Sequence, residues 1–307
     1  MHHASTPSTP NALPSRRSLL RAGAALGGLS IAGALVSCGD DTENDASGSS
    51  AATGALIASF PQSDPFIPAG LPTRLPYLIA DNEGVPLETI DGPVRFTVRK
   101  DGKQIGEQVE VRPRSAGVPR AYLPLTVTFD EPGYYDVIAR YQGADLDGSV
   151  EVVDRTAITT PLVGDPLPAI ASPTTADPLG VNPLCTRPEP CQYHSRSLDA
   201  ALGSSAPTIL VVSTPAYCQT AVCGPILDML VERLGGRTDI NVIHSEVYKN
   251  PADVDDLSQA ALAPIPEAFG LVFEPALFVA DAAGIVVARG DLIIDETELD
   301  EMLAFVV

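Results

Sequence analysis

Between Thr208 and Leu234 an apolar β-type run breaks at a bend, delivers two cysteines and passes at once into a helical pattern, an order that few folds accommodate. The run is Thr208-Ile209-Leu210-Val211-Val212, the bend is Ser213-Thr214-Pro215, and the cysteines are Cys218 and Cys223. Ile226, Leu227, Leu230, Val231 and Leu234 then recur at the spacing of one helix face. A cysteine handed from a strand to a helix N-terminus is chemically marked. Unpaired amide N–H groups and the positive end of the helix dipole favour thiolate over thiol, and thiolate is the nucleophile of disulfide exchange.

At 307 residues the chain exceeds one compact domain by the usual measure, so two domains plus tails are expected. A hydrophobic content of 45% suffices to fill cores. The net charge of −20 argues against a nucleic-acid surface and against broad adhesion to anionic headgroups. Of 5 cysteines, Cys38 closes an apolar segment and the others form two close pairs, Cys185/Cys191 and Cys218/Cys223.

The first segment, residues 1–37, reads as an address. Ser15-Arg16-Arg17-Ser18-Leu19-Leu20 carries paired arginines, and Ala22 to Val36 is a mildly apolar run too short for a comfortable membrane span. It resembles a twin-arginine export signal. Leu35-Val36-Ser37-Cys38-Gly39 resembles a bacterial lipobox, which implies cleavage before Cys38 and lipid on that cysteine. The alternative is a short single-pass anchor. Residues 38–54 are polar, small and acidic, a flexible tether. The expected location is the extracytoplasmic face of a bacterial membrane, where disulfides persist.

Residues 55–155 alternate in short half-buried runs: Thr73–Ala80, Val94–Lys100, Gln108–Arg112, Ala121–Phe129, Tyr134–Tyr141 and Ser149–Val153. Asp101-Gly102 signals a hairpin. Glu131-Pro132-Gly133-Tyr134-Tyr135 resembles the tyrosine corner of immunoglobulin-like sandwiches. No cluster with metal or catalytic spacing occurs here, so a spacer or partner-binding module is expected.

Residues 156–183 are rich in proline and small residues, a linker and domain entry, and residues 184–307 form the second domain. Within the latter, Ile240–Val247 is a β-type segment and Ala252–Ala263 is compatible with a helix. Phe273–Asp281 and Ile285–Arg289 form a strand, turn, strand hairpin, and Glu296–Phe305 is an amphipathic helix. This order, with cysteines after a strand and a proline before a hairpin, resembles the thioredoxin fold. The expected fold class is thus an α/β thioredoxin-like C-terminal domain preceded by an all-β immunoglobulin-like sandwich.

By that resemblance Cys218 stands where the family's nucleophile does, with Tyr217 at a position usually held by tryptophan. Pro225 resembles the kink proline of the first helix. Glu274-Pro275-Ala276 resembles the cis-proline loop that receives substrate backbone, which makes Tyr217, Glu274 and Pro275 candidate substrate-binding residues. Two departures stand out. The family spacing is Cys-x-x-Cys, whereas Cys218 and Cys223 are five apart; in a regular helix such positions lie about 8 Å and about 140° apart, beyond the roughly 7 Å a disulfide tolerates. Val212 also occupies the place of a buried family aspartate.

Cys185 and Cys191 lie in a proline-stiffened loop that closes a small ring readily. Three readings stay open for the four thiols. They form two structural staples, Cys185–Cys191 and Cys218–Cys223, or a structural Cys185–Cys191 beside a redox-active Cys218/Cys223, or a zinc or copper site with His194 or His244, although copper's thioether ligands are scarce here. No metal or other cofactor is assigned. Thr220-Ala221-Val222-Cys223 also resembles the Thr-x-x-Cys of peroxiredoxins, with Arg289 as the available arginine. The leading expectation is thiol–disulfide exchange on exported proteins, Cys218 attacking and Cys223 resolving. The competing class is a non-catalytic binding lipoprotein.

Overall fold

Three sheets and a few short helices make up the regular structure of the described residues. The computed structural model describes residues 54–218 and 220–307. The expected export signal, tether and lipidated Cys38 lie outside the described residues, as does Gln219. No helix among the described residues is long and apolar enough to cross a membrane.

The first two sheets pack face to face. One contains β1 (Ala55–Ala58), β3 (Pro72–Ala80) and β6 (Leu123–Thr128) in the order β1-β3-β6. The other orders β2 (Ile67–Pro68), β8 (Ala144–Val153), β7 (Gly133–Tyr141), β4 (Val94–Lys100) and β5 (Lys103–Val111) as β2-β8-β7-β4-β5. Period-two alternation sends Leu75, Tyr77 and Ile79 from one sheet and Phe96, Val98, Val137 and Ala139 from the other into a shared core. Asp101 and Gly102 take positive φ values of 52° and 74°, the tight turn that a β4–β5 hairpin requires. The Tyr135 hydroxyl donates to the Glu131 carbonyl at 2.8 Å and pins the corner entering β7.

A third sheet carries β9 (Thr208–Val212), β10 (Asn241–Ser245), β11 (Ala276–Ala280) and β12 (Val286–Asp291) in the order β10-β9-β11-β12. β10 and β9 are parallel; β9/β11 and β11/β12 are antiparallel. Every residue of β9 and β11 is buried, because helices cover both faces. On one face Ile209, Val211, Leu277 and Val279 meet α2 (Cys223–Leu234) and α4 (Glu296–Leu303). On the other, Leu210, Val212 and Phe278 meet α1 (Leu198–Leu202) and α3 (Pro264–Phe269).

Several expectations require correction. The helix expected over 252–263 is two short 3-10 turns, Pro251–Asp253 and Leu257–Gln259, and helix proper begins at Pro264. The Asp256 carboxylate accepts the Ser258 N–H, a local bond that competes with helix continuation. The presumed linker is partly an edge element: Leu167 N–H donates to the Gly284 carbonyl and Val286 N–H to the Asp165 carbonyl, and Leu162, Leu167 and Val181 are buried.

The two-sheet part and the α/β part meet across a buried polar seam. Arg74 forms an ion pair with Glu298, and its guanidinium also donates to the Asp291 carbonyl at 2.9 Å. Glu298 accepts the Tyr122 hydroxyl as well, and Asp295 N–H donates back to that hydroxyl at 2.9 Å. The described residues accordingly fall in one compact unit.

Candidate functional site

Cys218 and Cys223 form a disulfide with Cα atoms 6.0 Å apart. The spacing objection disappears because α2 begins at Cys223, leaving Cys218 in the preceding loop rather than in the helix. Ala221 makes the turn possible by adopting φ 58°, a left-handed conformation that few non-glycine residues take. Of the two ways out of the spacing problem, an unwound first turn or other partners for the cysteines, the structure has the first. The helix N-terminus favours thiolate at Cys223, whereas Cys218 is the sulfur that solvent reaches: Cys223 is fully buried and Cys218 half-buried. The Cys218 Sγ lies 3.4 Å from the Thr220 hydroxyl. Tyr217 is half-buried beside it, its N–H closing a turn onto the Thr214 carbonyl.

Glu274, expected as a substrate-binding residue, lies beside the dithiol. Its carboxylate and the two sulfurs lie within 4.8 Å of one another, and it accepts the Thr214 N–H at 2.6 Å. Burial pushes the Glu274 carboxyl up to about 7, with repulsion from Glu246 adding to it and the Thr214 N–H and His244 opposing it. A carboxyl that titrates near neutrality beside a disulfide can give or take the proton of a leaving or attacking thiol. The sequence marks Glu274 by its place before Pro275, but its burial is tertiary and leaves no local signal. Val212 is buried and apolar, as its strand position dictates.

The Glu274-Pro275 bond is cis, as is Asn182-Pro183, and Pro275 is buried where β11 begins. Beside Glu274 opens a groove of about 790 Å³ whose walls include Thr220, Tyr248, Leu262, Val272 and Phe273. Val272, 60% exposed, is its most accessible apolar side chain. Cys218, Leu78 and Val118 pack against a buried cluster of Tyr122, Val222 and Ile293. Arg289 is engaged elsewhere, paired with Asp291 at 2.9 Å and donating to the Pro161 carbonyl.

The disulfide expected between Cys185 and Cys191 is not formed. Both are free buried thiols with sulfurs 3.9 Å apart, nearly twice a disulfide bond length. They converge instead with His194 and His244, all four buried and with donor atoms within 4.8 Å of one another. Cys218, Cys223 and Glu274 are the other group of possible metal ligands among the described residues, with both sulfurs tied up in the disulfide.

No family model matches the chain, and no curated protein matches it. Among solved structures, a ZirS C-terminal domain aligns with 14% identity over 48% of this chain and 97% of that chain, at a TM-score of 0.22. A titin M10–obscurin-like 1 Ig complex aligns with 14% identity over 33% of this chain and 95% of that chain, at a TM-score of 0.19. Likeness at this level assigns neither fold nor function.

Proposed function

We propose that this chain is a thiol–disulfide oxidoreductase of exported proteins, built as an immunoglobulin-like sandwich followed by a thioredoxin-like domain. The observation that carries the reading is the Cys218–Cys223 disulfide with an accessible outer sulfur, a buried inner sulfur at a helix N-terminus, and the Glu274 carboxyl beside both. The strand order β10-β9-β11-β12 and the cis bond before Pro275 support the thioredoxin-like assignment. The Tyr135–Glu131 bond supports the immunoglobulin-like one. The paired Arg16-Arg17 and the lipobox at Cys38 support export and a lipid anchor, which would place the site on the outer face of the membrane.

In the oxidised form a substrate thiolate attacks the Cys218 Sγ. The Cys218–Cys223 bond breaks, a mixed disulfide forms on Cys218, and Cys223 departs as a thiolate that takes a proton from Glu274. A second substrate thiolate then attacks the substrate sulfur of the mixed disulfide and releases Cys218; two electrons have passed from substrate to protein. The steps reverse for reduction. The groove lined by Thr220 and Glu274, both beside the dithiol, would take an extended substrate segment.

The test is capture. Cys223→Ser is expected to accumulate mixed disulfides through Cys218, and the wild-type pair to equilibrate with glutathione. A Cys218–Cys223 bond that stays oxidised below about −300 mV, with no captured species, would assign the pair to structural stapling and the chain to the binding class. Peroxide consumption lost in Cys223→Ser but kept in Cys218→Ser would instead indicate peroxidase chemistry.

A further inference from the structure

The geometry points to a second site, unrelated to exchange chemistry: a structural Cys2His2 metal centre of the zinc class formed by Cys185, Cys191, His194 and His244. Three ligands come from the loop before α1 and the fourth from β10. The Cys185 and Cys191 sulfurs are 3.9 Å apart, Cys191 Sγ lies 3.4 Å from His194 Nε2 and 3.5 Å from His244 Nδ1, and the two nitrogens are 3.2 Å apart. Bonds of about 2.3 Å to sulfur and about 2.0 Å to nitrogen, set tetrahedrally, put sulfurs about 3.8 Å apart, sulfur and nitrogen about 3.5 Å, and nitrogens about 3.3 Å. Those four edges match that tetrahedron, and the remaining two, from the Cys185 sulfur to the histidine nitrogens, lie within 4.8 Å.

The surroundings select the protonation state that such a site needs. His244 Nε2 donates to the Ser213 carbonyl at 3.0 Å, so its Nδ1 lone pair faces the sulfurs. The Cys191 N–H donates to the Cys185 Sγ at 3.4 Å, a bond that favours thiolate. His194 is buried, and its Nε2 faces the Cys191 sulfur and the His244 Nδ1. Four strong ligands with no open position and no exposed face describe a structural centre rather than a catalytic one. Tetrahedral S2N2 donors suit zinc. On binding, the metal displaces the two thiol protons and ties the 185–194 loop to β10.

That loop also reaches the dithiol. Thr186 N–H and hydroxyl donate to Glu246 at 2.6 and 3.1 Å, and the Thr186 hydroxyl accepts the Ala216 N–H at 3.2 Å, two residues before Cys218. The centre therefore buttresses the strand-to-helix connection that carries the disulfide.

The experiment uses the full chain, reduced, freed of metal and titrated with cobalt(II) under argon. One cobalt per chain is expected, with the intense visible bands of tetrahedral cobalt and a thiolate-to-cobalt charge-transfer band, both abolished by stoichiometric zinc. The Cys218→Ser, Cys223→Ser double variant should give the same spectrum. His194→Cys should retain the metal with a charge-transfer band about half as strong again, since three thiolates replace two, and this variant keeps the test decisive if Cys185→Ser or Cys191→Ser fails to fold. Absence of the charge-transfer band in the reduced wild type would overturn the proposal. So would a band that vanishes with Cys218 and Cys223.

Discussion

The Thr214 N–H donates to the Glu274 carboxylate across 2.6 Å, joining the bend before the disulfide to the residue before Pro275. Two loops sixty residues apart in sequence are thereby held together, with the carboxyl beside the disulfide. Under the proposed exchange, a carboxyl pushed up to about 7 would serve as acid in one direction and as base in the other.

Glu274→Gln keeps the shape of the side chain and removes the titration. Turnover with a dithiol substrate is expected to fall roughly tenfold to a hundredfold, and the pH–rate profile to lose its ionisation near 7. Stability carries its own signature. The folded-state value lies above the unfolded one, so this group's stabilisation is complete below about 4.5 and is lost as pH rises through about 7. Glu246, also pushed up to about 7 by burial, titrates in the same window. The difference between wild-type and variant urea midpoints across that window reports Glu274 together with its coupling to Glu246; equal slopes would show that Glu274 is ionised throughout.

The groove makes a separate prediction. Val272→Ser removes apolar area from its rim without touching the sulfurs. If a substrate polypeptide covers that side chain, about 1.5 kcal/mol of binding is lost, roughly a tenfold rise in KM for a protein substrate. The rate with dithiothreitol, too small to span the groove, should be unchanged. An equal loss with both substrates would mean that Val272 shapes the site rather than the docking.

What the sequence disclosed follows from how local each signal is. The cysteine-bearing turn, the Asp101-Gly102 hairpin and the Pro275 position rest on a few adjacent residues and are legible as strings. The five-residue cysteine spacing is an obstacle only while both cysteines are placed in one helix; Ala221 at positive φ ends that assumption, and alanine announces nothing of the kind. The four-ligand cluster is half legible, as Cys185, Cys191 and His194 are close in sequence. His244 lies fifty residues further on in an apolar strand, and only the parallel pairing of β9 and β10, with the loop folded over them, brings it in. Arg74 and Glu298 are 224 residues apart, and no periodicity connects them.

That last pair bears the strongest stability prediction. Arg74 and Glu298 side chains are only 13% and 10% exposed, and each is the other's counter-charge across the seam between the two parts. Burial by itself favours the neutral acid, but the Arg74 charge and hydrogen bond, joined by the Tyr122 hydroxyl, hold the Glu298 carboxyl below its ordinary range. Its stabilisation is therefore present at neutral pH and lost on acidification. Arg74→Met leaves a buried carboxylate uncompensated and should cost about 3–5 kcal/mol by urea denaturation at neutral pH. Adding Glu298→Gln removes the stranded charge, so the double variant should recover a large part of that loss. Because Tyr122 also packs against Val222 and Cys218, the single variant should in addition raise thiol accessibility at Cys218 in the reduced protein, measured as a faster alkylation rate. A single variant as stable as wild type would mean that the seam is hydrated and the pair adds little.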